Sequence, residues 1–260
     1  LEPRLGWGLF AALTLMGLVG LWDDLRGLSA GFRLLVHFAA AALVIWCLQL
    51  GLPWWLAGGV LVALVWFTNL YNFMDGIDGY AAVQCLVFCL GVQVVAGGLP
   101  GWQGQLVWLL SGAMLAFLAF NWPPAKIFMG DVGSGFVGLL IGGLALYLSH
   151  TQNVPFVASL ILLAVFWFDA TYTLCVRIVT KQEFTQAHRL HLYQHVAMRK
   201  GHLWTTIAFL IYAALWLLPL AYFARVFMAS PLMQGAALCA AILPLAVLCY
   251  RHGAGLPKPE

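Results

Sequence analysis

Nine apolar runs, 5–22, 32–49, 54–70, 79–97, 106–121, 133–149, 155–179, 203–223 and 235–250, follow one another along a chain of 260 residues. Runs of about 17 to 25 residues, rising 1.5 Å per residue as helix, cross the roughly 30 Å hydrocarbon core of a bilayer. Lipid offers the backbone no hydrogen bonds, so a spanning segment has to satisfy its own N–H and C=O groups, which a helix does. The predicted fold is therefore all-α: a polytopic integral membrane helical bundle of about nine transmembrane helices. The connections are too short for a separate soluble domain, so residues 1–260 are read as a single transmembrane domain. Composition agrees, since 8% of the residues are charged and 63% hydrophobic, where a soluble domain carries about 25% charged. The sequence starts at Leu1 with no positively charged leader before its first run, so no cleavable signal peptide is expected.

Against that background the carboxylates stand out. Of nine acidic residues, Asp23, Asp24, Asp75, Asp78, Asp131 and Asp169 all lie inside or at the edge of apolar runs. An ionised carboxylate there is costly unless it is paired, metal-bound or facing water, so each is read as functional by default. Lys and Arg fix the orientation. With the segment after the first run inside, Arg26, Arg33, Lys126, Arg177, Lys181, Arg189, Arg199, Lys200, Arg251 and Lys258 fall on one side, and only Arg4 and Arg225 of the 12 fall opposite. The same assignment places Asp23, Asp24, Asp75, Asp78, Asp131 and the stretch His188 to His195 at the cytoplasmic face. The chemistry is expected to be one-sided and cytoplasmic.

The net charge of +3 suits lipid headgroups or phosphate substrates, and no nucleic-acid module is present. The six cysteines lie within the runs at spacings that match neither zinc nor disulfide patterns, and are read as small apolar residues. Trp54, Trp55, Trp102 and Trp122 fall near run ends, where tryptophan anchors a helix at the interface.

Four polar segments carry the chemistry. In Trp22-Asp23-Asp24-Leu25-Arg26, with Arg33 beyond it, adjacent carboxylates cannot both ionise cheaply without a cation, which makes the pair a metal-associated site or a proton acceptor; the bland alternative is a water-facing acidic helix end paired with Arg26. In Asn69 to Gly79, a continuing helix would put Asn72, Asp75 and Asp78 on roughly one face, while Gly76 and Gly79 permit close approach. Their oxygen donors suit Mg²⁺. In Lys126 to Gly135, glycines around Asp131 open directly onto a run, so helix-start N–H groups can face an anion while Asp131 faces a metal and Lys126 adds charge. The later glycines, Gly135 to Gly143, are read as helix packing. In Glu183 to His195, the longest polar connection, His188, Arg189 and His191 offer imidazole and guanidinium groups to a diphosphate, with histidine also able to shuttle protons near neutral pH. Asp169, two to three turns earlier, either touches the site or pairs with Arg177.

Taken in order, WDD, NFMDGIDG, KIFMGDVGS and HRLHLYQ resemble the polyprenyl-phosphate N-acetylhexosamine-1-phosphate transferases, glycosyltransferase family 4, which include the MraY-type translocase of peptidoglycan synthesis. The resemblance covers essentially the whole chain, and HR-x-H-x-YQ with the PPAKIFMGD lead-in is most similar to the WbpL-like O-antigen branch. It implies transfer of a sugar 1-phosphate from a UDP-N-acetylhexosamine to undecaprenyl phosphate, with UMP released, and a homodimer is compatible with it. It implies Mg²⁺, with Mn²⁺ the alternative, held by Asn72 and Asp131. Asp23 and Asp24 match the catalytic pair, Asp75 and Asp78 the donor loop, and Lys126, His188, Arg189 and His191 the basic groups near the nucleotide sugar. The family pattern has another one or two spans and a cytoplasmic Pro/Arg/His-containing segment ahead of the DD pair, so this sequence is expected to be part of a longer chain. A secondary transporter would place its carboxylates near the bilayer midplane and show an internal repeat, and neither is seen. Prenyltransferases and other lipid enzymes arrange their acids as DxxD and have no place for GDVGS.

Overall fold

The structure, a computed structural model, describes residues 3–151, 153–183 and 188–257. The expected all-α fold is found. Helices α1 (Pro3–Arg26), α2 (Ala30–Leu48), α3 (Trp54–Phe73), α4 (Tyr80–Ala96), α5 (Gly101–Asn121), α6 (Gly130–His150), α7 (Phe156–Leu162), α8 (Ala164–Val179), α9 (Leu192–Lys200), α10 (His202–Tyr212), α11 (Leu218–Val226) and α12 (Pro231–His252) follow in order, with a π-helical stretch Ala213–Leu217 making α10 and α11 continuous. They form two compact units, Leu1–Asp75 with Phe128–Asn153, and Gly76–Ile127 with Val154–Glu260.

In the first unit α6 packs on α1, α2 and α3, while α2 packs on α1 and α3. Glycine makes the α6 contacts possible. An added Cβ would stand 3.0 Å from the Met16 methyl at Gly135, 2.9 Å from Tyr71 Cβ at Gly138, 2.5 Å from Leu64 at Gly142 and 3.1 Å from Val44 at Gly143. The packing role expected of these later glycines is therefore observed, and it suits helices in lipid, which associate through close backbone approach. The tightest approach is Gly20 of α1, where a Cβ would lie 2.5 Å from Val132 Cα and 2.6 Å from the Asp131 carbonyl oxygen. This brings the last turn of α1 down onto the first turn of α6. Ser29 caps α2, its Oγ accepting from Phe32 N at 3.3 Å, so the chain turns back at once and Arg33 lies just inside the new helix.

In the second unit α4 packs on α5, α7, α10 and α11, while α12 packs on α7, α8, α9 and α11. Two of the nine predicted spans differ from expectation here. Run 79–97 yields α4, a 17-residue helix. Run 155–179 is bent by 75° between α7 and α8 at Leu163. A break inside an apolar segment exposes carbonyls that need donors. Trp167 Nε1 donates to Leu160 O at 2.8 Å, and Gln84 Nε2, reaching over from α4, donates to Leu162 O at 3.2 Å. Among the described residues, seven helices, counting His202–Val226 as one, are by themselves long and apolar enough to cross a membrane.

Pro244 inside α12 poses the same problem, since it lacks the N–H that would reach Ala240 O. Trp216 Nε1 fills that place at 3.1 Å, and the Tyr212 hydroxyl donates to Ala241 O at 2.9 Å. The cysteines are free, as expected. Trp54 and Trp55, at the start of α3, are 86% and 63% exposed.

Candidate active site

Helix α1 runs one turn further than its apolar run, to Arg26, so Asp23 and Asp24 sit in its last turn rather than beyond it. The two point to different partners. Asp23 Oδ1 accepts from Leu28 N at 2.6 Å, and its Oδ2 takes Arg33 Nη1 at 2.6 Å. The same guanidinium nitrogen lies 3.1 Å from Asp131 Oδ2, so one cation bridges the two carboxylates. Arg26, the partner that the bland reading assigns to the pair, is exposed and takes no part in this contact. Asp24 caps α6: Oδ1 accepts from Asp131 N at 2.9 Å and Oδ2 from Val132 N at 3.1 Å. The helix-start N–H groups read as facing an anion do face one, and it is this chain's own carboxylate. Gly130 (φ +65°) is required there, because a Cβ would stand 2.7 Å from Asp24 Oδ2.

Asn72, in the last turn of α3, donates through Nδ2 to Asp131 Oδ1 at 2.7 Å and to Ser134 Oγ at 2.9 Å. Asp131 is thus gripped from both sides, by Asn72 and by Arg33. The expectation of one helical face for Asn72, Asp75 and Asp78 is not met. Helix α3 stops at Phe73, Asp75 N turns back to Asn72 O at 3.1 Å, and Gly79 (φ +74°) starts α4, so Asp75 and Asp78 are loop residues. Asp75 belongs to the first unit and Asp78 to the second. Burial pushes the Asp75 carboxyl up to about 8, with the charges of Asp131 and Asp24 adding to it. In this corner of the first unit Arg33 bridges Asp23 and Asp131, Asp24 accepts from the N–H groups of Asp131 and Val132, and Asp75 feels the charges of Asp131 and Asp24.

In the second unit Asp78 ties three segments together. Its Oδ2 accepts from Ala125 N at 3.1 Å, its Oδ1 lies 3.3 Å from His202 Nδ1, and its carbonyl accepts from Thr206 Oγ1 at 3.1 Å. Asn121 completes the knot, accepting from Gly79 N at 2.9 Å and donating to Ile127 O at 2.8 Å. Lys126, held by its backbone to Phe120 O at 2.7 Å, presents an exposed side chain. The close approach expected at Gly76 is made by the Tyr193 hydroxyl and by Gln194 Nε2.

The polar connection after α8 is less of a loop than the sequence suggests, because Leu192–Lys200 folds as α9. Residues 184–187 lie outside the described residues. Arg189 is exposed, whereas His191 and His195 are 4% and 1% exposed. The His188 and His191 rings meet at 4.9 Å, and the Tyr193 ring stacks on His191 and on Tyr80 at 5.8 and 5.0 Å. Burial, then His191 and Arg177, push His188 down to about 4. Asp169 reaches the basic segment, its Oδ1 lying 3.8 Å from His191 Nδ1. It accepts from Leu192 N and Tyr193 N at the start of α9, and Arg177 donates to the Glu183 carbonyl.

The matches with known proteins fall on this geometry. The model of the family described as glycosyl transferase family 4 matches residues 6–149, more than half of the 260, and that stretch contains every carboxylate of the Arg33 cluster. The chain belongs to glycosyl transferase family 4. It is 30% identical over 202 residues to a probable undecaprenyl-phosphate N-acetylglucosaminyl 1-phosphate transferase of Bacillus subtilis, covering 68% of this chain and 54% of the relative. It is 30% identical over 177 residues to a phospho-N-acetylmuramoyl-pentapeptide-transferase of Levilactobacillus brevis, covering 57% and 53%. A namesake of the latter from Streptococcus equi subsp. zooepidemicus is 43% identical over 94 residues, 34% of this chain and 27% of its own. The chain spans a little over half the length of the first two of these relatives.

The family implies a divalent metal, and the residues fit one. Asp23 and Asp131 share one guanidinium, which leaves surplus negative charge between them, and Arg33 already shows that the two close around a positive charge. All the donors are hard oxygens. Among the described residues no three His, Cys, Asp or Glu side chains converge as a closed metal cage. Asn72 now turns its nitrogen to Asp131, so serving as an oxygen donor requires its amide to turn over. Sequence reasoning noted Arg33 without giving it a role. The available signal was a basic residue at a span start on the same face as the DD pair.

Proposed function

We propose that this protein transfers a sugar 1-phosphate from a UDP-N-acetylhexosamine to undecaprenyl phosphate at the cytoplasmic face of a bacterial inner membrane. The observation that carries the reading is the Arg33-bridged carboxylate cluster at the joined ends of α1, α3 and α6. An oxygen of the acceptor phosphate bonds to the sugar-bearing phosphorus of the donor, the bond from that phosphorus to the bridging oxygen of the diphosphate breaks, and UMP leaves carrying the bridging oxygen. The acceptor phosphate is already largely ionised at neutral pH, so no strong base is needed. The task is to position two anions and neutralise developing charge.

Mg²⁺, held by Asp131 with Asp23 and Asn72, would supply that neutralisation. Arg33 holds Asp23 and Asp131 at a fixed spacing, Asp24 fixes the first turn of α6, and Asn72 fixes Asp131. Lys126 and Arg189, both exposed, are the cations offered to the donor's diphosphate. The finer reading, an O-antigen initiator, rests on the wording of HR-x-H-x-YQ. Purified protein with Mg²⁺, undecaprenyl phosphate and a panel of UDP-N-acetylhexosamines tests the proposal through UMP release. Lipid-dependent release that EDTA abolishes supports it, and no release from any donor by a folded preparation refutes it.

A further inference from the structure

Asp169 lies in α8 and is 2% exposed. A carboxylate in an apolar helix persists where it is fully partnered. Its partners here are the first two N–H groups of α9: Oδ1 accepts from Leu192 N at 2.8 Å and Oδ2 from Tyr193 N at 3.1 Å, with Thr173 Oγ1 adding a bond to Oδ1 at 3.2 Å. Opening N–H groups have no acceptor within their own helix, and a negative charge is favoured at that end. A two-pronged acceptor fixes the start of α9 in both position and rotation. The residues just ahead are His191, whose Nδ1 is 3.8 Å from the same carboxylate, and the exposed Arg189. A second tie comes from the end of the chain, where Gly255 N donates to Leu190 O at 2.8 Å.

We infer that Asp169 is a positioning residue for donor binding, acting through the first turn of α9 to hold the exposed Arg189 in one place for the donor's phosphates. This rests on the UDP-sugar transfer proposed above. A carboxylate that merely stabilised the fold would change stability without selecting among substrates. One that positions the basic segment changes donor affinity and leaves the lipid acceptor alone.

The test compares wild type, Asp169→Asn and Thr173→Val as full chains. Asparagine keeps the shape but offers one acceptor oxygen to two N–H groups, and Thr173→Val removes a support of the carboxylate if the first variant fails to fold. For Asp169→Asn the KM for the UDP-sugar is expected to rise about tenfold, the effect of losing one charge-assisted hydrogen bond. The KM for undecaprenyl phosphate and kcat should stay within about twofold. Native-state tryptic cleavage after Arg189 should become faster. Thr173→Val should move both readouts in the same direction by less. A lower melting temperature with the donor KM unmoved overturns the inference, as does unchanged cleavage after Arg189. A wild type that releases no UMP refutes the transfer reaction and the donor role with it, while the cleavage rates still decide whether Asp169 holds the segment.

Discussion

Replacing Gly20 with alanine tests how the carboxylate cluster is assembled. The new Cβ would lie 2.5 Å from Val132 Cα and 2.6 Å from both Val132 N and the Asp131 carbonyl oxygen, all of them backbone atoms that cannot swing aside. Carbon atoms rest at about 3.5–4.0 Å, so α1 and α6 must part by about 1 Å at this level. Asp24, one turn further along α1, now accepts from Asp131 N and Val132 N at 2.9 and 3.1 Å. A shift of about 1 Å carries both past hydrogen-bonding range. Overpacking costs about 1–3 kcal/mol and the lost charge-assisted bonds about 1.5–3 kcal/mol each. The gain in helix propensity returns only about 0.5–1 kcal/mol. The net loss is at least about 3 kcal/mol, which lowers the melting temperature by at least about 6 °C for a chain of this size. Gly17→Ala is the control, because nothing lies within 4 Å of a Cβ there. Tryptophan fluorescence during thermal unfolding in detergent reads both variants, and UMP release should fall for Gly20→Ala alone. Equal melting temperatures for the two variants would refute the reasoning.

Three further outcomes are expected. Asp131→Asn should lower turnover by at least about a hundredfold, the scale of losing a main electrostatic contact in phosphoryl transfer, while the protein remains folded by circular dichroism; retained Mg²⁺-dependent UMP release would remove Asp131 from the metal. Asp75 has a folded-state value of about 8 against about 3.9 unfolded, so between these the folded protein holds a proton that the unfolded chain has released. Its contribution to stability is complete below about pH 4 and lost as pH rises through 8. The melting-temperature difference between wild type and Asp75→Asn should therefore shift against the wild type from pH 5 to pH 9 without divalent cations, and a flat difference counts against the assignment. Gln84→Leu removes the donor to Leu162 O at the α7–α8 bend and should cost about 1–2 kcal/mol; an unchanged or raised melting temperature would mean that the bend does not depend on Gln84.

The candidate site was legible in the sequence to the extent that carboxylates in an apolar chain have to be explained. Asp23, Asp24 and Asp131 are such residues, and the structure brings them together with Asn72. Their division of labour was not legible. That Asp23 shares Arg33 with Asp131 while its neighbour Asp24 caps α6 depends on residues about a hundred positions apart in the chain. Neither Arg33 nor Asp169 could be given its partner by spacing, because Leu192 N and Tyr193 N, which hold Asp169, belong to a helix that the polarity of its segment concealed.

The fold divides in the same way. Runs of apolar residues fix helices by themselves, because in lipid a helix is satisfied within its own segment. The sequence by itself therefore determined the class, the approximate spans and the packing use of Gly135 to Gly143. Tertiary structure alone decided the bend at Leu163 and the accommodation of Pro244. Both leave carbonyls bare in apolar surroundings, and both persist because distant side chains, Gln84 and Trp216, reach them. Donors that come from another helix are set by packing, and packing is not written in the periodicity of any one segment.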